Sequence, residues 1–130
     1  MNKIEVQIHD GPLPPTPAPC RKADAGAVLV FEGIVRSTEE TRILAALTYE
    51  LYEPMAGRVL QELAEELSNR HGLIGLTVEH SRGCVAVGQC AFRLQTSAQH
   101  RQPAILALGE FIDRMKKDAP IWKAPMWSDR

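Results

Sequence analysis

The chain has 130 residues, 45% of them hydrophobic and 24% charged, a make-up suited to one soluble domain that buries roughly two-thirds of its unfolded surface. A formal net charge of −1 excludes a protein that holds nucleic acid by overall positive charge, while leaving room for a local cationic pocket. Three cysteines (Cys20, Cys84, Cys90) without C-x-x-C spacing make neither a disulfide framework nor a zinc site, and His9, His71, His80 and His100 lack ligand spacing, so no metal or cofactor is expected.

The opening MNKIEVQIHD lacks the apolar stretch of a signal peptide, and no apolar run of about 18 residues exists to span a membrane. A reducing, cytoplasmic setting is expected. Lys3 to His9 alternates apolar and polar residues and reads as a strand. A proline-rich loop follows over residues 10–20. GAVLVFEGIVR, Gly26 to Arg36, is a β-prone run expected to be a buried strand. The polar STEETR suits a hairpin loop, and Ile43 to Tyr52 returns as a second strand.

Pro54 opens a helix expected to reach about Arg70, with Val59, Leu60, Leu63 and Leu67 as its buried stripe. Leu73 to His80 reads as a strand, Gly83 and Gly88 flank a turn or bulge, and Cys90 to Thr96 reads as another strand. A second helix is expected from Arg101 to about Lys117, with Ile105, Leu108, Ile112 and Met115 facing inward and Pro120 ending it. Residues 124–130 are left as a short tail. The expected fold is α+β: one domain over residues 1–130, a mostly antiparallel sheet and two covering helices.

Five cations stand at element ends. Arg36 closes a strand beside a polar loop. His100 and Arg101 open the second helix, where free N–H groups and the helix dipole favour an anion. Lys116 lies in the last turn of that helix, and Lys123 follows Trp122 in PIWK, a segment too apolar for a loose tail. There is no GxGxxG, P-loop or GxSxG motif. Glu50 and Glu53, the one conceivable acid/base pair, fit strand-edge polarity better.

Four blocks in order carry a resemblance: GAVLVFEGIVR, ALTYELYEPMA, TSAQHR and FIDRMKKDAPIWK. From about Gly26 to Lys123 the chain resembles the molybdopterin synthase large-subunit (MoaE) family. The resemblance implies an α/β-hammerhead-like fold and a homodimer, each copy binding a small ubiquitin-like sulfur-carrier subunit to make a heterotetramer. It implies a sulfurtransferase that moves sulfur from the carrier's C-terminal Gly-Gly thiocarboxylate to cyclic pyranopterin monophosphate, building a dithiolene. The family's functional positions fall on Lys116 and Lys123, as catalytic residues, and on Arg36, His100 and Arg101, as substrate-binding residues.

Departures cluster after His80: Ser81 stands where relatives usually carry Arg, and Cys84 and Gln89 where they tend to be acidic. They motivate an alternative, a non-catalytic paralogue serving as a dimeric carrier-binding module. His100 and Arg101 precede Lys116 by 16 and 15 residues. A helix rising about 1.5 Å per residue separates them by roughly 22–24 Å, too far for one small substrate. The expected site is therefore built from two copies of the chain.

Overall fold

The computed structural model describes residues 2–16 and 21–128. Along them run β1 (Lys3–Asp10), β2 (Ala27–Ile34), β3 (Thr38–Glu39), β4 (Arg42–Leu51), α1 (Met55–His71), β5 (Gly75–Ala86), β6 (Cys90–Ala98), α2 (Arg101–Asp118) and β7 (Ile121–Trp127). The strands join in the order β2-β6-β5-β4-β3, with β1 also on β5 and β7 also on β4. Among the described residues every strand pair is antiparallel except β1 with β5. The α+β reading with a mostly antiparallel sheet and two helices holds.

β5 is the strand on which the sheet turns. Its first half, Gly75 to His80, pairs with β6, and its second half, Gly83 to Ala86, pairs with β4. Gly83 stands at the handover with φ +95°, a left-handed backbone open to glycine at little cost. The expected turn spanning Gly83 to Gly88 is therefore shorter. The strand runs through Gly83 to Ala86, and the reversal into β6 falls at Val87 and Gly88, where Gly88 has φ +89°.

Both helices cover one face of the β1, β5, β6 and β2 portion. Leu60, Leu63, Ala64 and Leu67 of α1 meet Leu76 and Val78 of β5 and Leu94 of β6 in the main core. Gly72 ends α1 in the left-handed conformation (φ 65°), and the N–H groups of Gly72 and Leu73 donate to the carbonyls of Asn69 and Ser68 at 3.4 and 2.9 Å. This is the paired bonding that satisfies a helix C-terminus. A second, smaller core of Val35, Leu44, Leu47, Val85 and Ala91 lies where β4 and the far half of β5 meet.

Two expectations need correction. The face that α2 buries is Ala104, Ala107, Phe111 and Met115, while Ile105 is 50% exposed and Leu108 and Ile112 only flank the core. The small Ala104 and Ala107 let the helix approach the sheet closely, and the Thr96 hydroxyl donates to the Ala104 carbonyl at 3.0 Å. Choosing the stripe by aliphatic bulk misplaced it by one position, about a 100° rotation. Residues 124–127, expected in the tail, belong to β7, which pairs antiparallel with β4 and places Lys123 opposite Tyr49. Pro125 disguises this strand but is tolerated because β7 lies outside the main path of the sheet.

Across the face turned away from the helices, Glu32, Arg93 and Glu79 stand side by side in register on β2, β6 and β5. The Arg93 guanidinium, 1% exposed, donates to Glu32 and Glu79 at 2.9 Å each and to the Pro14 carbonyl at 2.6 Å. His9 lies 3.2 Å from the other oxygen of Glu79. The described part of the proline-rich segment is pinned over this network. Gly11 N–H donates to Arg82, Leu13 N–H to Cys90 and the Thr16 hydroxyl to Glu32, at 2.7, 2.9 and 2.6 Å. Residues 17–20 of that segment, with Cys20, lie outside the described residues.

A buried charge stripped of its partner is costly. Arg93→Met should therefore lower unfolding stability by about 3–5 kcal/mol in denaturant titration, and Glu79→Gln in that background should recover part of it. A loss below about 1 kcal/mol would show that the network contributes little.

Candidate functional site

Three cations far apart in sequence meet at one cavity of about 670 Å³: Arg36 just past β2, Lys116 in the last turn of α2 and Lys123 on β7. Backbone bonds fix each approach. Val35 N–H donates to the Gln89 carbonyl and the Val35 carbonyl accepts from Gly88 N–H, at 3.0 and 2.9 Å, which holds the end of β2. Tyr52 N–H donates to the Pro120 carbonyl at 3.1 Å, tying the α2–β7 corner to the end of β4. Met115, buried in the main core, anchors the turn that carries Lys116.

The walls are apolar and aromatic: Phe31 and Ile34 from β2, Phe92 from β6, Ile112 and Met115 from α2, and Trp122 from β7. Among the described residues none of the three cations enters an ion pair, whereas Arg70, Arg82, Arg93 and Arg114 all do. Unpaired cations around a partly apolar cavity make a site for an anion with a flat, poorly hydrated body.

His100 and Arg101 are elsewhere. They border a separate depression of about 530 Å³ with Gln102, Ile105 and Leu106, at the opposite end of α2. His100 makes no side-chain cap to the helix, and its backbone is extended (φ −126°, ψ 157°). Within one chain the structure brings together three of the five expected residues and leaves this pair apart.

The sequence reading missed His80 and Tyr49 as cavity residues. His80 is 4% exposed yet reaches the cavity wall. Its Nδ1 lies 2.8 Å from the Ser81 carbonyl, so Nδ1 carries the proton and donates. Tyr49 meets it edge-on with ring centroids 5.3 Å apart, and Phe92 packs at 5.8 Å. Burial pushes the His80 pKa below the ordinary 6.5, against the opposing pull of the Ser81 hydrogen bond. Burial likewise raises the Tyr49 hydroxyl above 10.

The available signal for His80 was alternation, which puts it on the same face of β5 as Leu76 and Val78. Trp122, the residue before Lys123 in the apolar PIWK segment, does not anchor that lysine. It is 58% exposed, and the β4–β7 pairing holds the lysine in place instead. Among the described residues no three His, Cys, Asp or Glu side chains cluster as a metal centre would need.

The family model for the MoaE protein matches residues 12–118. The chain belongs to the MoaE family. A relative from Coccidioides immitis, a molybdopterin synthase catalytic subunit, is 38% identical over 122 residues, covering 92% of this chain and 61% of its own length. The chain thus spans about three-fifths of that relative. The crystal structure of molybdopterin synthase from Staphylococcus aureus superposes with a TM-score of 0.82 at 30% identity, covering 100% of this chain and 95% of the other. A complex of subunits 1 and 2 of molybdopterin-converting factor from Helicobacter pylori shares the fold, with a TM-score of 0.75 at 24% identity over 96% and 86% of the two chains.

The MoaE match takes in Arg36, His100, Arg101 and Lys116, and Lys123 lies five residues past its end. None of the described helices of this MoaE chain is long and apolar enough to cross a membrane.

The buried His80 has a consequence for stability. Its folded pKa lies below the unfolded value near 6.5, so as pH falls the unfolded chain takes up the proton first. The folded state loses stability from about pH 6.5 down to the lower folded pKa. The melting temperature should fall more steeply between pH 7 and pH 5 in the parent chain than in His80→Gln, and parallel slopes would contradict this.

Proposed function

We propose that the chain is the catalytic subunit of a molybdopterin synthase, a cytoplasmic sulfurtransferase. It takes sulfur from the C-terminal Gly-Gly thiocarboxylate of a small ubiquitin-like carrier and places it on cyclic pyranopterin monophosphate. The observation that carries this reading is the convergence of Arg36, Lys116 and Lys123, unpaired among the described residues, on one aromatic-walled cavity. Both reactants are anions, one of them joined to a flat ring system. Fixed positive charge in a partly dry site lets two such anions approach and stabilises charge that develops during attack.

In each transfer the acyl carbon–sulfur bond of the carrier breaks and water supplies the oxygen of the carboxylate left behind, while a carbon–sulfur bond forms on a side-chain carbon of the pterin as that carbon's bond to oxygen breaks and the oxygen leaves with a proton. Two transfers in turn complete the dithiolene. Lys116 acts at the reacting sulfur with Lys123 in support, and Arg36 holds substrate. The relatives described above support the activity, and the two-subunit Helicobacter pylori structure supports a carrier partner. Nucleic acid and membrane have no part in this reading.

His100 and Arg101 complete the site from a second copy. The 18 residues of α2 make a rod of about 27 Å, so its two ends cannot grip one small substrate. Two copies related by a two-fold axis bring the start of one α2 to the end of the other. Two carriers on such a dimer make a heterotetramer.

Lys116→Ala should lower sulfur transfer by roughly a hundredfold or more while leaving the melting temperature nearly unchanged. Near-normal turnover in the folded variant would remove Lys116 from the mechanism. Mixing Lys116→Ala with Arg101→Ala chains, each inactive alone, should restore part of the activity through one intact site per mixed dimer. Verified mixed dimers without recovery would sink the shared site.

A further inference from the structure

We propose that His80 offers its Nε2 lone pair to the ligand in the Arg36–Lys116–Lys123 cavity, as a neutral hydrogen-bond acceptor that recognises a ring N–H of the pterin. The proposal rests on the functional reading above and adds a residue that reads the ring rather than the charge. His80 is the last β5 residue paired with β6, opposite Phe92, at the point where the core shared with Leu76 and Val78 gives way to the cavity.

The tautomer is set by the protein. With Nδ1–H committed to the Ser81 carbonyl at 2.8 Å, the lone pair is left on Nε2. No hydrogen bond reaches Nε2 among the described residues. Nor is Nε2 sealed in the interior, because the one buried, unpartnered side-chain nitrogen or oxygen among those residues is the Ser81 Oγ. Nε2 therefore keeps some exposure, and the cavity that His80 lines is the space we assign to it. Tyr49 edge-on at 5.3 Å and Phe92 at 5.8 Å fix the plane of the ring.

The chemistry of the other groups makes this acceptor distinctive. Arg36, Lys116 and Lys123 can only donate. The Glu32 side chain stands on the opposite face of the sheet, where one carboxylate oxygen accepts from both Arg93 and Thr16, at 2.9 and 2.6 Å. Three donors suit phosphate and thiocarboxylate oxygens and sulfur, and they leave the N–H donors of a pterin unanswered. A neutral imidazole supplies what they lack, and burial, which lowers the pKa of His80, keeps it neutral at pH 7. A ligand donor buried without a partner loses the full value of its hydration.

The test measures binding of cyclic pyranopterin monophosphate by calorimetry, and KM and kcat for that substrate and for thiocarboxylated carrier separately. His80→Phe keeps the ring packing and removes the acceptor. It should weaken pterin binding roughly tenfold to a hundredfold while leaving the carrier KM unchanged, and His80→Gln, whose amide oxygen can accept, should recover part of the loss. A second measurement needs no variant: a pterin analogue methylated at its ring N–H should bind the parent protein correspondingly more weakly.

If His80→Phe folds and binds pterin as the parent does, or if the methylated analogue binds as tightly as the unmethylated pterin, the acceptor role is overturned. The functional reading stands in that case provided the parent chain transfers sulfur to the pterin. If the parent chain binds carrier but transfers no sulfur, the functional reading falls and this inference falls with it.

Discussion

An 18-residue α-helix is a rigid rod about 27 Å long, and the arrangement of charge in this protein follows from where the ends of α2 lie. Its N-terminus carries His100 and Arg101 away from the sheet's far half. Its C-terminus, braced by Phe111 and Met115 in the core, delivers Lys116 to the cavity. Pro120 then turns the chain immediately into β7, which returns along β4 and sets Lys123 beside the same space. One helix therefore divides five candidate cations into a group of three and a pair. The proposed dimer is the simplest way to rejoin them.

The two faces of the sheet treat charge in opposite ways. On the face away from the helices, Arg93 is buried and fully engaged by Glu32, Glu79 and a backbone carbonyl. Such a network orders strands and holds the proline-rich segment down, but it offers nothing to a ligand. Around the cavity, Arg36, Lys116 and Lys123 have no carboxylate partner among the described residues. Their mutual repulsion is a standing cost that an anionic ligand would relieve. The contrast between paired and unpaired cations, more than the number of cations, is what supports the cavity as the proposed reaction site.

Much of this was legible in the sequence, for identifiable reasons. Helix ends were readable where Pro54 and Pro120 act locally through backbone geometry. The strand at 27–34 was equally plain from its β propensity, but the burial expected of it is not found, because β2 ends the strand order and none of its residues is buried. The buried face of α2 was misjudged because side-chain size does not reveal which face meets the sheet, and here the close contact belongs to alanines. β7 was hidden by Pro125 and by the exposure of most of its residues, and only its pairing with β4 makes it a strand. Lys116 and Lys123 could be named from resemblance. His80 could not, because its role depends on the Ser81 carbonyl, Tyr49 and Phe92 converging through long-range strand pairing.

The departures around Ser81, Cys84 and Gln89 leave the cavity's three cations in place, which is why a catalytic role is favoured over a carrier-binding module. The measurement that separates the two most directly is a single-turnover assay of the unmodified chain with thiocarboxylated carrier and cyclic pyranopterin monophosphate. The account predicts dithiolene product, with two thiocarboxylates converted to carboxylates for each pterin. Tight carrier binding with the thiocarboxylate intact and the pterin unchanged would contradict it.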